Sequence, residues 1–357
     1  MSSENNILNF NNQRFYIGID VHKKSWKVTI RSGAIALKTY SMNPSSQELS
    51  KYMHEKYPGG IYHSVYEAGF SGYWTHRQLE QLGFKNIIVS PNNVPTNARE
   101  KVYKTDSVDS RKLARELESG SIKGIYVPDQ LHQELRSIVR LRYQIMKSNV
   151  RLKNQIKSYL NFYGHKFPEN YETKHWSGIF IKYLRTLSFE YTMGKEQLEI
   201  YLSELTEKRE LMVEIIKRIR HYCQGYGFDK EIQLLMKVPG IGFITAVTIY
   251  SELIDINRFP RLDNLASYVG LTPSVRSSAD KEKNLGLKMQ HNKYLRSMLV
   301  EAAWIAVRKD PALTACFNEY IKRMSKQEGI IRIAKKLLNR IRAVLMGNRE
   351  YVCSVVK

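Results

Sequence analysis

Residues 15–40 read FYIGIDVHKKSWKVTIRSGAIALKTY, and this stretch decides the fold. Its runs at 15–19, 26–32 and 34–40 are rich in β-branched and aromatic residues, the pattern of three consecutive strands. Beyond them the periodicity alternates. A helix is expected at 45–56, a strand at 61–67, a helix at 73–82 and a short strand at 86–89 stopped by Pro91. A helix at 107–118 and a last strand at 122–127, stopped by Pro128, complete the set.

Three strands followed by helix–strand units is the order of an RNase H-like fold. Within it, four acids take notable places. Asp20 ends the first strand run, Glu67 ends IYHSVYE, and Asp106 and Asp109 stand three apart at the start of a helical pattern. Residues three apart on a helix share a face, so both aspartates can converge on one centre that Asp20 and Glu67 complete. Oxygen donors of this kind suit Mg²⁺, with Mn²⁺ as an alternative. Each acid taken singly has a structural reading too, as a turn residue, a helix cap or a charge favoured by the helix dipole. His22 and Lys23, beside Asp20, are candidate phosphate contacts.

The 56 Lys and Arg against 34 Asp and Glu leave a net charge of +22 on 357 residues. That surplus points to a polyanion partner, because nucleic-acid binding is driven by counterion release. The length allows two or three domains. Three widely spaced cysteines, Cys223, Cys316 and Cys353, have no metal spacing and argue against a disulfide framework. No apolar run is long enough for a membrane helix and the start MSSENN is no signal peptide, so a cytosolic protein is expected.

Residues 131–223 carry heptad spacing on two stretches, from Leu131 to Tyr163 and from Leu198 to Cys223, with polar Arg142 and Asn149 in the first seam. Two readings fit: a dimerising or domain-spanning coiled coil, or a helical hairpin packed on its own domain. The expected division is therefore 1–130, 131–223 and 224–357. In the last region, Val238-Pro239-Gly240-Ile241-Gly242 resembles a helix-hairpin-helix turn, where Gly240 and Gly242 would let backbone approach a phosphate. A polar loop with Ser277 and Ser278 follows, flanked by Arg276, Lys281, Lys283 and Lys288, then a helix with Arg296. A serine among cations can attack a phosphodiester, although such loops are usually only solvated. Residues 320–342 read as one basic amphipathic helix.

Together GIDVHK, VYEAGFSGYW and KTDSVDSRKLA in the first half, with PGIGFITAVTIYSELIDINRF, LASYVGLTPS and LRSMLVEAA in the second, resemble the DEDD-type transposases of the insertion-sequence-110 family. The resemblance spans nearly the whole chain. It implies a RuvC-like, RNase H-fold domain holding Mg²⁺ through Asp20, Glu67, Asp106 and Asp109. It further implies a mostly helical C-terminal transposase domain with a nucleophilic serine five residues after the Pro of GLTP, which is Ser278. Ala279 stands where the family usually has Gly, and Gln290-His291 where a Lys/Arg-x-Gly sequence often stands, so Ser277 remains the alternative. The implied partners are donor and target DNA, a structured guide (bridge) RNA and further copies of the chain, from dimer to tetramer. The implied setting is a bacterial cytoplasm, at the nucleoid.

Two other function classes stay open on the sequence. A RuvC-like nuclease or junction resolvase would use activated water and need neither serine. A non-catalytic nucleic-acid binder would need none of the four acids.

Overall fold

The computed structural model describes residues 9–95, 106–166, 176–278, 281–287 and 291–353, with the side chains at 106–107, 273–278 and 281–287 outside that description. The chain divides into two compact units at Val127/Pro128.

The first unit is a five-stranded sheet with helices on both faces. Strands β1 (Arg14–Val21), β2 (Trp26–Ser32) and β3 (Ile35–Met42) precede helix α1 (Ser46–Lys56). Then come β4 (Ile61–Glu67), α2 (Trp74–Gln81), β5 (Lys85–Val89) and α3 (Asp106–Glu118). The strand order is β3-β2-β1-β4-β5. β1 pairs antiparallel with β2 and parallel with β4, and β5 adds parallel to β4. This mixed sheet is consistent with an RNase H-like domain.

Alternation along the strands sorts the two faces. Phe15, Ile17 and Ile19 of β1 join Trp26, Val28 and Ile30 of β2 in one core with Leu49, Met53 and Leu79 of α1 and α2. Each fully buried side chain of this size contributes roughly 1.5–3 kcal/mol of transfer free energy. The opposite face carries Gly18 and Val65 and receives α3, whose Leu113 packs with Val65 and Val89. α3 lies against β1 itself: a β-carbon on Gly18 would stand 2.1 Å from the Ser110 carbonyl oxygen. Ser110 Oγ is 2.9 Å from Thr29 Oγ1, and Thr29 pairs with Gly18. At the far end of α3, Glu118 accepts from Arg31 Nε at 2.7 Å and from the Ala34 amide at 2.8 Å. Since Arg31 pairs with Tyr16, α3 runs antiparallel to β1 and starts at the strand's C-terminal end.

The strand expected at 122–127 is absent. That segment runs past β5 with one ladder-type bond, Ile125 N–H to the Ile88 carbonyl at 2.7 Å. Gly124 sits flat on Ile87, and Pro128 has no N–H to extend a ladder.

The second unit begins with two long helices, α4 (Gln130–Phe162) and α6 (Thr192–Gly225), with short α5 (Gly178–Thr186) between them. Leu135, Val139 and Ile145 share a core with Ile215, Ile219 and Cys223, while Leu152, Ile156 and Tyr159 share another with Leu198, Leu202 and Leu205. The start of α4 thus meets the end of α6, an antiparallel hairpin within one chain. The heptad seam is occupied by its partner helix within the chain. Asn149 spans the seam, donating to the Lys208 carbonyl at 3.5 Å.

The helices α7 (Asp229–Met236), α8 (Phe243–Leu253) and α9 (Leu262–Val269) follow, then strands β6 (Pro273–Ser278) and β7 (Lys281–Leu287). Helices α10 (Lys293–Lys309), α11 (Pro311–Ile321) and α12 (Lys326–Gly347) close the unit. Residues 320–342 are not one helix. Ser325 and Glu328 form a reciprocal capping box that starts α12 afresh after a break at 322–325. The serine segment is not a loop but an antiparallel hairpin, β6–β7. No described helix is long and apolar enough to cross a membrane.

Candidate functional site

Three of the four predicted acids stand at the same end of the first sheet, where β1 and β4 stop and α3 starts. The parallel register of β1 and β4 ends with Ile19 opposite Tyr66, so Asp20 and Glu67 follow side by side on neighbouring strands. By alternation they share the face of Gly18 and Val65, the face α3 covers. Asp109 immediately precedes Ser110, whose carbonyl lies on Gly18, so the first turn of α3 stands at that strand end. Asp106 opens the same turn; its side chain lies outside the described residues. Among the described residues, no group of three or more His, Cys, Asp or Glu side chains is assembled to hold a metal ion. The donor set, carboxylates only, fits a hard divalent cation.

His22 Nε2 is 3.1 Å from Asp20 Oδ2, so this histidine bonds to the acidic site directly. Lys23 lies over the exposed Phe70 ring, 5.9 Å from its centroid.

In the second unit the hairpin register puts Ser278, the last residue of β6, opposite Lys281. Ser277 stands opposite Glu282, and Arg276 opposite Lys283. Ala279, Lys288 and Gln290 lie outside the described residues.

The foot of this hairpin is clamped by residues the sequence reading did not single out. The chain leaves α9 through Gly270 at φ +84°, where a β-carbon would meet His291 at 2.3 Å. It returns at Asn292, whose N–H donates to the Tyr268 carbonyl at 2.9 Å. Asn292 Oδ1 caps α10 by accepting from the Tyr294 and Leu295 amides at 3.0 and 3.2 Å. Its Nδ2 donates to Glu252 Oε2 at 2.8 Å and to the Tyr268 hydroxyl at 3.1 Å. Glu252 is 0% exposed and accepts a two-pronged bond from Arg140 of α4, Nε at 2.6 Å and Nη2 at 2.8 Å. A buried carboxylate is tolerable only when paired in this way. One carboxylate therefore ties α4, α8 and the hairpin foot together. The available signal was an acid set among apolar residues in TAVTIYSELI.

The two glycines of the helix-hairpin-helix turn differ. Gly240 has φ +85°, and a β-carbon there would strike the Ala302 carbonyl oxygen at 2.3 Å, so its bareness serves packing on α10. Gly242 is exposed at the N-cap of α8, and a β-carbon there would meet nothing within 4 Å, so that helix N-terminus is open to an approaching group. Arg296 is half-buried with its guanidinium beside Gly270, and burial lowers its pKa.

Two family profiles match this chain. One, of the DEDD IS110 kind and described as "Transposase", matches residues 17–165 and so takes in all four acids. The other, "Transposase IS116/IS110/IS902 family", matches residues 232–318, from the glycine turn through Glu252 and the serine hairpin. The chain belongs to the IS110 family of transposases.

Curated relatives agree with that membership. The putative transposase y4qE of Sinorhizobium fredii is 29% identical over 67% of this chain, which spans 57% of that relative's length. The transposase for insertion sequence element IS1111A of Coxiella burnetii is 24% identical, covering 80% of this chain and 78% of its own. That for IS1533 of Leptospira borgpetersenii is 26% identical, with 82% and 85% covered. A DEDD transposase domain suggests divalent-metal use.

Proposed function

We propose that this transposase recombines DNA through a covalent protein–DNA intermediate formed by Ser278, with Mg²⁺ held by Asp20, Glu67, Asp106 and Asp109. Ser278 Oγ attacks a DNA phosphate, forming an Oγ–P bond and breaking the bond to the 3′ oxygen, which leaves and takes up a proton. A divalent ion in the acidic set would supply Lewis-acid stabilisation of charge on that leaving oxygen. Asp20, Glu67, Asp106 and Asp109 would hold that ion at the strand ends and helix start, and His22 bonds to Asp20 at 3.1 Å. Arg276, Lys281 and Lys283 lower the electrostatic cost of charge gathering on the phosphate.

The observation that carries this reading is the hairpin. Ser278 ends a paired strand, in register with Lys281 and next to the Arg276–Lys283 like-charge pair. A solvated loop needs no such frame. Guidance by a structured RNA that pairs with donor and target DNA, and a dimer or tetramer in which one copy's acids serve another's serine, follow from the family resemblance. Since the α4–α6 seam is closed within the chain, assembly would use outer surfaces such as the exposed Leu211 and Val213.

A nicked DNA substrate that traps the intermediate tests this. Wild type should give a protein–DNA adduct resistant to denaturation, and Ser278→Ala should give none. An adduct that persists reassigns the attack to Ser277 or another group. A second reading has its own support: the acids assemble within the first unit without any serine. In that case cleavage is hydrolytic, and the Ser277→Ala/Ser278→Ala protein still cuts DNA.

A further inference from the structure

A cleft of about 1120 Å³ opens in the second unit between α9, α11 and α12. Leu262 and Leu271 are in its lining, and Leu271 lies two residues before β6. The cleft therefore reaches the foot of the serine hairpin. Its sides carry Arg323, Arg332, Lys335, Lys336 and Arg340 against one acid, Glu328.

These cations do not all need a ligand. Lys335 is 2.8 Å from Asp263, and Arg340 is 2.5 Å from the buried Asp310, so both charges are offset in place. Glu328 is held by Ser325 in the capping box. Among the described residues, no ion pair holds Arg323, Arg332 or Lys336. Arg332 stacks over the Tyr320 ring, 5.7 Å from its centroid. The packing face of α12 is a separate stripe, Ile330, Ile333, Leu337, Leu338 and Ile341, so these charges have no part in the core. A solvated face would scatter such charges over convex surface. Here they converge in a concavity, where field lines are focused and counter-ions concentrate.

We propose that this cleft holds the phosphodiester backbone of the DNA that lies beside the serine hairpin, with Arg323, Arg332 and Lys336 as the phosphate contacts. This rests on reading β6–β7 as the segment that meets DNA. The chemistry is that of a backbone track: Arg332 and Lys336 one turn apart on α12, Arg323 on the turn before it, polar Gln327 and Asn339 in the same lining, and Glu328 as its one acid. It fixes where the strand runs without reading its bases.

The test measures binding of full-length protein to duplex DNA and, in parallel, to a structured RNA of equal length, without divalent metal so that no chemistry occurs. Arg323→Glu/Lys336→Glu is compared with Lys56→Glu/Lys217→Glu, an equal charge change at exposed lysines elsewhere. The cleft variant should lose about tenfold or more in DNA affinity, and its slope of log affinity against log salt should fall by about two. The control should change by less than about threefold. Equal losses in both variants, or a loss confined to RNA, would overturn the proposal. Because no adduct is read, a DNA-specific loss supports the cleft even if Ser278 proves not to be the nucleophile.

Discussion

Gly18 and Ser110 meet through a gap that admits no side chain: a β-carbon on Gly18 would lie 2.1 Å from the Ser110 carbonyl oxygen and 2.5 Å from the Ala114 nitrogen. Both obstacles are backbone and cannot rotate away. Gly18→Ala must push α3 off β1, at a cost of about 1–3 kcal/mol or more. Asp109 moves with the helix, away from Asp20 and Glu67. The expected outcome is a lower melting temperature and a larger loss of DNA cleavage than of DNA binding. Wild-type melting and cleavage would show that α3 does not set the acids.

Asp20→Asn and Asp109→Asn remove charge with little change of volume. Each should abolish cleavage while leaving DNA binding within about threefold, because the phosphate-contacting cations are untouched. A gel comparing binding and cleavage for both variants decides it. Unimpaired cleavage in either would show that the acid takes no part in the chemistry.

Asn292 plays two parts that one substitution separates. Asn292→Asp keeps an oxygen to cap α10 but sets a carboxylate against the buried Glu252. The hairpin foot should loosen: amides of β6–β7 exchange faster with solvent while those of α10 stay protected. Adding Glu252→Gln restores a donor facing the introduced carboxylate and should return the slow exchange. Glu252→Ala, which strips Arg140 of its partner, should cost about 3 kcal/mol, the low end for a buried pair because Arg140 is partly exposed. Unchanged exchange in Asn292→Asp would mean that the hairpin is held by other contacts.

Two histidines make the first unit acid-sensitive. His63 stacks on Tyr16 and its pKa lies below 6.5, first through burial and then through Lys85 and Arg14. His76 is lowered by burial, opposed by Glu80 and helped by Arg77. Its Nδ1 is 2.8 Å from Asn86 Nδ2, and Asn86 Oδ1 accepts from the buried Ser64 hydroxyl at 2.7 Å. Since the amide donates, Nδ1 accepts, and protonation would break this chain of bonds. With folded values below 6.5, the unfolded chain takes up protons first. Stability is then complete above pH 6.5 and falls as pH drops below it. A melting series from pH 8 to 5 should be flat to about 6.5 and then decline, less steeply in His76→Gln. A melting temperature flat throughout contradicts this.

The strands of the first unit were readable because β1, β2 and β4 alternate apolar residues that pack on α1 and α2. The segment at 122–127 has the same composition, yet only Ile125 reaches β5, and composition does not report a missing partner. The break at 322–325 was written in Ser325 and Glu328, a spacing that marks a helix start, but the basic pattern on either side concealed it. A heptad seam tells that two helices meet, not whether they share a chain, so the antiparallel pairing of α4 with α6 lay beyond it. That Asp20 and Glu67 close neighbouring strands and that Asp109 lies in the first turn of a helix could be read from the strand ends and helical spacing. Glu252 could not, because its partners Arg140 and Asn292 stand 112 and 40 residues away in the sequence.

The central claim is that a serine of the β6–β7 hairpin becomes joined to DNA. The direct measurement is mass spectrometry of the peptide left on trapped substrate after proteolysis and nuclease digestion. A phosphorylated nucleotide remnant on Ser278 is the predicted result, lost in Ser278→Ala. Efficient strand cleavage with no peptide bearing that remnant would contradict it and leave metal-activated water as the nucleophile.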